Sequence, residues 1–505
     1  MARFRISARY GALFGLALGS FVPAAALAAP PTTLTQALAE AYANNATLQQ
    51  QRASLRVTDE QVPTALSGWR PTVQITGTAG HISGTESLPA TVFDPNTQSN
   101  VRVKQKLSQS RSEEIGQITL TQPIYSGGKI IASTRQAKNN VYAARATLLA
   151  TEQTVFLNVV SAYVTVISDT HLLALDKSNE SVLSQQLNAT NDQFKVGEIT
   201  ETSVAQAQAS LAQAAEQVEV AKGNLQIADE NFRQLVGEYP GNLAPPQPLA
   251  LPVASKDEAA RAATANNPSV VAAKFTNAAA RDAVDVAFAA LMPQISLQAS
   301  AFSESNPSGP NTNVNGGQVL GQLTVPLYQG GSEYAAIRSA RAQQQESFAG
   351  ILNAQRTAYA QATQAWEALV AARAAIISTN AEIKANAIAL DGTEREELVG
   401  TRTTLDVLNA QQLLLQAQEQ QVQNIATLVN NSYTVASAIG RLTATDLALP
   451  VDHYDDLKYY RDVKYAGFGT GESADQNAGI TPDGALLGSA NSATIADGPP
   501  SPPVP

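Results

Sequence analysis

The sequence contains no cysteine, so disulfides cannot stabilise the fold and side-chain packing must do so alone. Large apolar residues are sparse, whereas alanine, glutamine, asparagine, serine and threonine are abundant. Small residues suit closely packed helices, and amide or hydroxyl side chains suit surfaces that stay in contact with water. The formal net charge of −10 argues against a general nucleic-acid-binding protein.

The chain also lacks the motifs that carry catalysis or metal binding. His81, His171 and His453 are far apart with no metal-ligand spacing, and neither a nucleophile elbow nor an H-E-x-x-H motif is present. Gly127-Gly128-Lys129 resembles the end of a phosphate-binding loop, but the glycine five positions before Gly127 is missing. We therefore predict a protein that is not an enzyme, with no catalytic residues, no cofactor and no metal site.

The N-terminus has the features of a secretory signal peptide. Basic residues precede an apolar stretch at 10–22, and Ala26-Leu27-Ala28 forms a small-residue cleavage site. We predict that residues 1–28 are removed and that the mature chain leaves the cytoplasm. Because there is no cysteine at the cleavage site, the mature N-terminus cannot carry an acyl anchor.

After residue 28 there is no run of about 18 apolar residues that could cross a bilayer as a helix. The best candidate, residues 155–167, is short and interrupted by Asn158 and Ser161. A transmembrane strand needs only one apolar face, so the chain can still span a membrane as part of a β-barrel.

The chain is an internal duplication. The segment 123–128 (P-I-Y-S-G-G) recurs as 326–331 (P-L-Y-Q-G-G), about 203 residues later, and Asn44-Asn45 recurs as Asn266-Asn267, about 222 residues later. The difference of about 19 residues marks a loop that is longer in the first half. The predicted divisions are a signal peptide (1–28), a first repeat (29–239), a Pro-rich linker (240–258), a second repeat (259–445), an equatorial C-terminal segment (446–468) and a disordered tail (469–505).

Each repeat has the predicted order helix, strand, loop, strand, long helix, turn, long helix. In the first strand Val73, Ile75 and Gly77 alternate with polar residues, and three further segments, around 117–121, 295–301 and 322–325, alternate in the same way. Runs of about 9–12 residues suffice to cross a bilayer at a barrel tilt. Residues 83–112 and 304–316 are rich in Ser, Asn, Pro and Gly and are predicted to be exposed loops. Amphipathic strands of a soluble domain remain the alternative.

The segment from Lys129 to Val196 contains neither glycine nor proline, and a continuous helix of its roughly 68 residues would be about 100 Å long. After it, apolar residues recur every seven positions from Val204 to Phe232, which is typical of a coiled-coil seam. A plain extended coiled-coil dimer would have the same pattern. The predicted glycines of the strand-to-helix junctions are Gly127, Gly128, Gly330 and Gly331, and those of the helical-tip turns are Gly197 and Gly400.

Four strands cannot close a barrel, and open edges in hydrocarbon would leave backbone groups unpaired. Two chains would supply eight strands, whose interior side chains nearly fill the barrel, and three would supply twelve, which leave a lumen. The residues alone permit either number.

The duplication, the two P-[IL]-Y-x-G-G junctions and the segment V-G-T-R-T-T-L-D-V-L-N-A (399–410) resemble the TolC family of outer-membrane efflux channels. The resemblance implies an α+β membrane protein with four transmembrane strands and long periplasmic coiled-coil helices per chain. It also implies a homotrimer, in which a 12-stranded β-barrel in outer-membrane lipid continues as an α-helical barrel in the periplasm. The implied function is a passive export duct for small molecules or proteins, working with a periplasmic adaptor and an inner-membrane pump of the ABC or RND type.

The resemblance also assigns a periplasmic gate. In the family, carboxylates on an inward-facing helix narrow the closed entrance; Asp406 matches the first, whereas Asn409, one turn on, replaces the second. Three copies of Asp406 on an axis would repel one another, which favours a bound cation or a raised pKa. Ordinary solvated helix positions are the alternative for these residues.

Polar links between neighbouring helices hold the family's entrance shut, and Arg402 matches a linking arginine. Its usual aromatic neighbour is Glu397 here, and the aspartate partner in the first half is Ser203. Glu201 or Glu198 is the predicted substitute partner.

Other functions fit the sequence less well. A single-chain porin needs more strands, and a periplasmic adaptor has one helical hairpin rather than two. A periplasmic adaptor or coiled-coil scaffold without a pore is the alternative function that we retain.

Overall fold

The computed structural model describes residues 30–308 and 311–469, so the predicted signal peptide and residues 470–505 of the predicted tail lie outside the described residues. The first half consists of α1 (Leu34–Asn44), α2 (Ala46–Asp59), α3 (Gln61–Ser67), β1 (Thr72–Asp94), β2 (Ser99–Ser126), α4 (Lys129–Lys195) and α5 (Glu201–Val236). The second half consists of α6 (Lys256–Asn266), α7 (Pro268–Phe288), a 3₁₀ turn (Ala289–Leu291), β3 (Gln294–Ser305), β4 (Asn313–Thr324), α8 (Ser332–Leu398) and α9 (Thr404–Ala438). A short helix, α10 (Lys458–Val463), follows.

The duplication is confirmed in three dimensions. The long helices α4 and α8 have 67 residues each. Each begins after a glycine pair in the left-handed region, with φ of 85° at Gly128 and 84° at Gly331, a conformation that residues with a Cβ rarely adopt. The predicted single helix before the strands is three helices in the first half and two in the second.

The four strands form one antiparallel sheet in the order β1-β2-β3-β4. Cross-strand pairing puts apolar residues on one face, as in Ile75↔Ile118 and Leu120↔Ala299, and polar ones on the other, as in Thr76↔Gln117. In a transmembrane barrel the apolar face contacts lipid and the polar face lines the lumen. Among the described residues, neither β1 nor β4 has a second strand beside it, so both edges of the sheet are open.

Strand length was predicted correctly in the second half only. β3 and β4 have 12 residues each; β3 ends at Ser305 and β4 begins at Asn313, so the strands extend into both ends of the predicted loop 304–316. β1 and β2 have 23 and 28 residues, so the predicted loop at 83–112 is wrong. Most of that segment continues the antiparallel ladder to Asp94↔Ser99. The Ser, Asn, Pro and Gly residues of this segment favour a loop, but most of it pairs across a long hairpin.

The largest apolar core surrounds the middle of α4. Phe156 and Tyr163 of α4 and Phe232 of α5 are fully buried there, together with side chains of α1, α2, α9 and the segment after α9. An 18-residue window of α4 is apolar enough, by length and composition, to cross a membrane. Of this window, 39% is buried inside the fold, and the core helix of a soluble protein can have the same length and composition.

Beyond the core the helices pack as long pairs, α4 with α5 and α8 with α9. In α5 the buried residues include Val204, Ala207, Ala214, Val218 and Ala221, which confirms the predicted seven-residue seam. Alanine at alternate layers lets the paired helices approach closely.

The C-terminal segment lies along the first half. Tyr459 donates a hydrogen bond from its hydroxyl to Glu60 at 2.7 Å, and Arg70 donates to the carbonyl oxygens of Tyr465 and Ala466. The segment therefore joins the helices before β1 to the end of the described chain.

Candidate functional site

The tips of the two helical hairpins have the same geometry. At the first tip Gly197 has φ of 81° and its amide donates to the carbonyl of Phe194; at the second, Gly400 has φ of 78° and donates to Glu397. A glycine just after a helix satisfies the last carbonyls and reverses the chain. Gly197 and Gly400, the glycines predicted for the helical tips, each lie in the reversal between two long helices.

Asp406 lies at the start of α9, in a capping box. Its carboxylate accepts hydrogen bonds from the amide of Thr403 at 3.0 Å and from the Thr403 hydroxyl at 2.9 Å, and its own amide donates to that hydroxyl. These bonds to the backbone and side chain of Thr403 lower the pKa of Asp406. Within one chain the group is thus stabilised as a carboxylate, opposite to the raised pKa that repulsion between copies predicts.

Ser203 occupies the corresponding position of the first tip. Its amide donates to the hydroxyl of Thr200, as that of Asp406 does to Thr403. Both hairpins keep the threonine cap, but only the second presents a charge there. Glu201, the first residue of α5, is exposed.

Arg402 donates from Nε to Oε2 of Glu396 at 3.0 Å, and both side chains are about half exposed. Its partner within the chain is thus a glutamate of its own tip, and Glu201 and Glu198 take no part in this ion pair. Glu397 points differently: its Oε1 is buried without a hydrogen-bond partner among the described residues. Sequence reasoning named Glu397 but missed Glu396.

Asn409 is exposed one turn after Asp406 and borders a polar pocket of about 240 Å³ between α4, α5 and α9. Leu183, Ala214 and Leu408 pack together beside this pocket. The structure therefore brings the second tip against the first hairpin through an apolar contact just behind the predicted gate residues.

Four acidic residues that the sequence analysis did not single out line a second pocket between the helices. Asp169 and Asp176 of α4, Glu216 of α5 and Glu419 of α9 line a pocket of about 380 Å³. Burial raises the pKa of both Asp176 and Glu419, and the two carboxyl groups share a hydrogen bond. The signal was present: Asp176, Leu183 and Thr190 are buried at seven-residue spacing, which places an acid in the helix seam.

No group of three or more histidine, aspartate or glutamate residues is arranged to hold a metal ion within 30–308 and 311–469.

Comparison with known proteins identifies the fold and its use. The family model described as "Outer membrane efflux protein" matches residues 37–238 and 259–441, one segment for each repeat. The chain belongs to this family. It is 34% identical to the outer membrane efflux protein BepC of Brucella suis over 88% of this chain and 92% of BepC. It is 25% identical to the outer membrane protein TolC of Escherichia coli over 65% of this chain and 70% of TolC.

The crystal structure of the Campylobacter jejuni CmeC outer membrane channel matches with a TM-score of 0.67, at 19% identity, over 81% of this chain and 85% of CmeC. The family is one of channel proteins, and this chain is an outer-membrane export channel that extends into the periplasm. The alternative of an adaptor or scaffold without a pore is not supported.

Proposed function

We propose that three copies of the chain join edge to edge into one export duct. The open edges of β1 and β4 carry this proposal, because unpaired strand edges do not persist in hydrocarbon. Three four-stranded sheets give a twelve-stranded barrel with the polar face of each sheet, including Thr76 and Gln117, around an aqueous lumen. The long helices then continue that lumen through the periplasm.

The absence of cysteine makes this assembly testable by cross-linking. A cysteine at Thr76 of β1 is combined in turn with one at Gln318, Leu320 or Gln322 of β4, all on the polar face. One register should give a covalent trimer on oxidation, because a disulfide requires Cα atoms within about 7 Å. The single-cysteine variants are the controls. Oxidised species no larger than a dimer in every register would contradict the proposal.

We further propose that the helical tips are the gate and that the channel does no chemistry. A periplasmic adaptor docks at the tips, and an inner-membrane pump of the ABC or RND type supplies the energy. Asp406 presents one carboxylate per copy at the entrance, and Asn409 replaces a second with a neutral amide, so cation capture there depends on a single ring. Arg402, paired with Glu396, holds the turn that carries this ring.

Purified protein in planar bilayers tests the duct and the gate together. Wild-type protein should conduct with a preference for cations, and Asp406→Asn should reduce that preference while keeping the Thr403 amide bond, because an amide oxygen still accepts. Asn409→Asp should increase it. Equal ion selectivity in all three proteins would show that position 406 is not at the constriction.

A further inference from the structure

The β1–β2 hairpin extends well past the rest of the sheet. β2 pairs with β3 only as far as Glu114↔Ser305, whereas its ladder with β1 continues without a bulge to Asp94↔Ser99. Between Glu114 and Lys106 the strand covers eight residue steps, about 26 Å at about 3.3 Å per residue. The outer part of the hairpin therefore projects from the end of the barrel that lies away from the helices.

The lipid-facing side of the ribbon can be followed outward through its cross-strand pairs. The apolar pairs Val73↔Leu120 and Ile75↔Ile118 lie within the membrane band. The same face then passes through Gly77↔Gly116 and Ala79↔Glu114 and carries polar pairs beyond them. In order these are His81↔Ser112, Ser83↔Ser110 and Thr85↔Ser108, and the two ring nitrogens of His81 lie within hydrogen-bond distance of Ser112 and Ser110. This change from apolar to hydroxyl-bearing residues marks the passage out of hydrocarbon.

Three cations follow on that face. Lys106, Lys104 and Arg102 are exposed at every second position of β2, opposite Ser87, Pro89 and Thr91. Among the described side chains, no carboxylate lies within ion-pair distance of any of the three. Opposite the three cations, the other face of the ribbon carries the apolar pairs Ala90↔Val103 and Val92↔Val101. In this outer part of the hairpin the cations therefore lie on the side that continues the lipid-facing wall.

We propose that Arg102, Lys104 and Lys106, here called the basic stripe, bind the phosphorylated sugars of a glycolipid in the outer leaflet around the barrel. Charge complementarity and continuity with the lipid-facing wall support a membrane ligand. The height above the hydrocarbon selects its kind. Lipid headgroups extend about 5–8 Å beyond the hydrocarbon, whereas the basic stripe begins about 26 Å along the strand beyond Glu114, or about 20 Å along the membrane normal at a strand tilt of about 40°. Only a lipid that carries its anionic groups on sugars reaches that far. Arginine and lysine bind phosphate through charge-assisted hydrogen bonds.

The test uses the full-length protein in phosphatidylcholine nanodiscs, titrated with a deacylated, phosphorylated lipid oligosaccharide. Without acyl chains the probe cannot insert into the bilayer, so binding reports on the hairpin. Wild-type protein should bind the oligosaccharide in a salt-sensitive manner. The R102S/K104S/K106S variant should raise the dissociation constant at least tenfold. The charge-retaining R102K/K104R/K106R variant should bind like wild type.

Two controls isolate the cause. Removing three exposed cations from the periplasmic helices, K177S/R373S/K384S, removes the same number of positive charges and should leave the affinity unchanged. Dephosphorylated oligosaccharide should not bind. Three outcomes would each overturn the proposal. These are an unaltered affinity of the basic-stripe variant for the oligosaccharide, an equal loss of affinity in the periplasmic control, and stronger binding of phosphatidylglycerol headgroups than of the oligosaccharide. Channel conductance of the basic-stripe variant should equal that of wild type, which separates this outcome from a failure of assembly.

Discussion

The side-chain amide of Asn45 donates a hydrogen bond to the carbonyl oxygen of Leu235 at 2.9 Å. The same asparagine caps α2 by accepting from the amides of Thr47 and Leu48. One residue thus satisfies the first amides of one helix and a terminal carbonyl of another. In the second half Asn267 donates to Ala438 at 3.1 Å and caps α7, so this tie between the start and the end of each repeat is duplicated with the fold.

Replacing either asparagine by alanine should destabilise the protein by about 1–3 kcal/mol, because a helix cap is lost and a buried carbonyl loses its donor. Asn45→Asp is the informative control, since aspartate keeps the cap but cannot donate to Leu235. We expect its melting temperature to lie between those of wild type and Asn45→Ala. Thermal unfolding followed by circular dichroism measures this, and identical melting of Asn45→Ala and wild type would show that the tie contributes nothing.

Much of the fold could be predicted because local and repeated signals agree. Three signals can be recognised from neighbouring residues alone. They are the glycine pairs at 127–128 and 330–331, the run without glycine or proline after Lys129, and the seven-residue seam. The long hairpin was not predicted, because its Ser, Asn, Pro and Gly residues favour a loop. Val101 and Val103 do alternate with Arg102 and Lys104, but only the pairing with a second segment shows that this alternation belongs to a strand.

The candidate gate was predicted only in part for a similar reason. Asp406 and Arg402 follow from a motif, but the partner of Arg402 depends on the path of the tip turn. Glu396 comes within reach because Gly400 reverses the chain, and no spacing rule distinguishes it from Glu397. The Asp176–Glu419 contact joins two helices that are far apart in sequence. The sequence indicates only one half of it, because Asp176 has the seven-residue spacing of the buried positions of α4.

The two strand-to-helix junctions differ in how tightly they are packed. A Cβ at Gly127 would lie 2.5 Å from Cβ of Met292 and 2.8 Å from the carbonyl oxygen of Ala289, whereas one at Gly330 meets nothing within 4 Å. Both glycines have positive φ, so alanine costs about 1–2 kcal/mol of backbone strain at either position. Gly127→Ala should cost more, because β2 must also move away from the turn before β3.

Heat stability of the purified assembly on gels provides the measurement. We expect Gly330→Ala to lower the dissociation temperature slightly and Gly127→Ala to lower it clearly further. Equal shifts in the two variants would mean that the contact with Met292 relaxes at no cost.

The ion pair between Arg402 and Glu396 spans the tip turn and gives a direct test of the gate. An exposed pair contributes about 0.5 kcal/mol, so its loss in three copies should raise the open-to-closed ratio roughly tenfold. Arg402→Ala and Glu396→Ala should each increase conductance and sensitivity to large antibiotics, and Arg402→Glu should do so more strongly. The double Ala variant should add little, as expected for two partners of one interaction.

Arg395 supplies the matched control, since it pairs with Asp391 at 2.9 Å within α8 and does not cross the turn. Arg395→Ala should conduct like wild type. Unchanged single-channel conductance in Arg402→Ala and Arg402→Glu would remove Arg402 from the gate.

Asp59, the last residue of α2, is only 1% exposed. Burial raises its pKa from 3.8 to about 6, against the opposing effect of the Arg145 guanidinium and with a smaller contribution from Asp456. Since the folded pKa exceeds the unfolded one, the contribution of Asp59 to stability is fully present below pH 3.8 and is lost as the pH rises through about 6.

Asp59→Asn should therefore leave stability unchanged near pH 3.5 and increase it at pH 7.5 by at most about 3 kcal/mol. Melting temperatures at the two pH values measure this, with Glu394→Gln, which removes an exposed carboxylate of α8, as the control. A variant that is less stable than wild type at pH 7.5 would show that the attraction between the ionised carboxylate of Asp59 and Arg145 of α4 outweighs the cost of burying the charge.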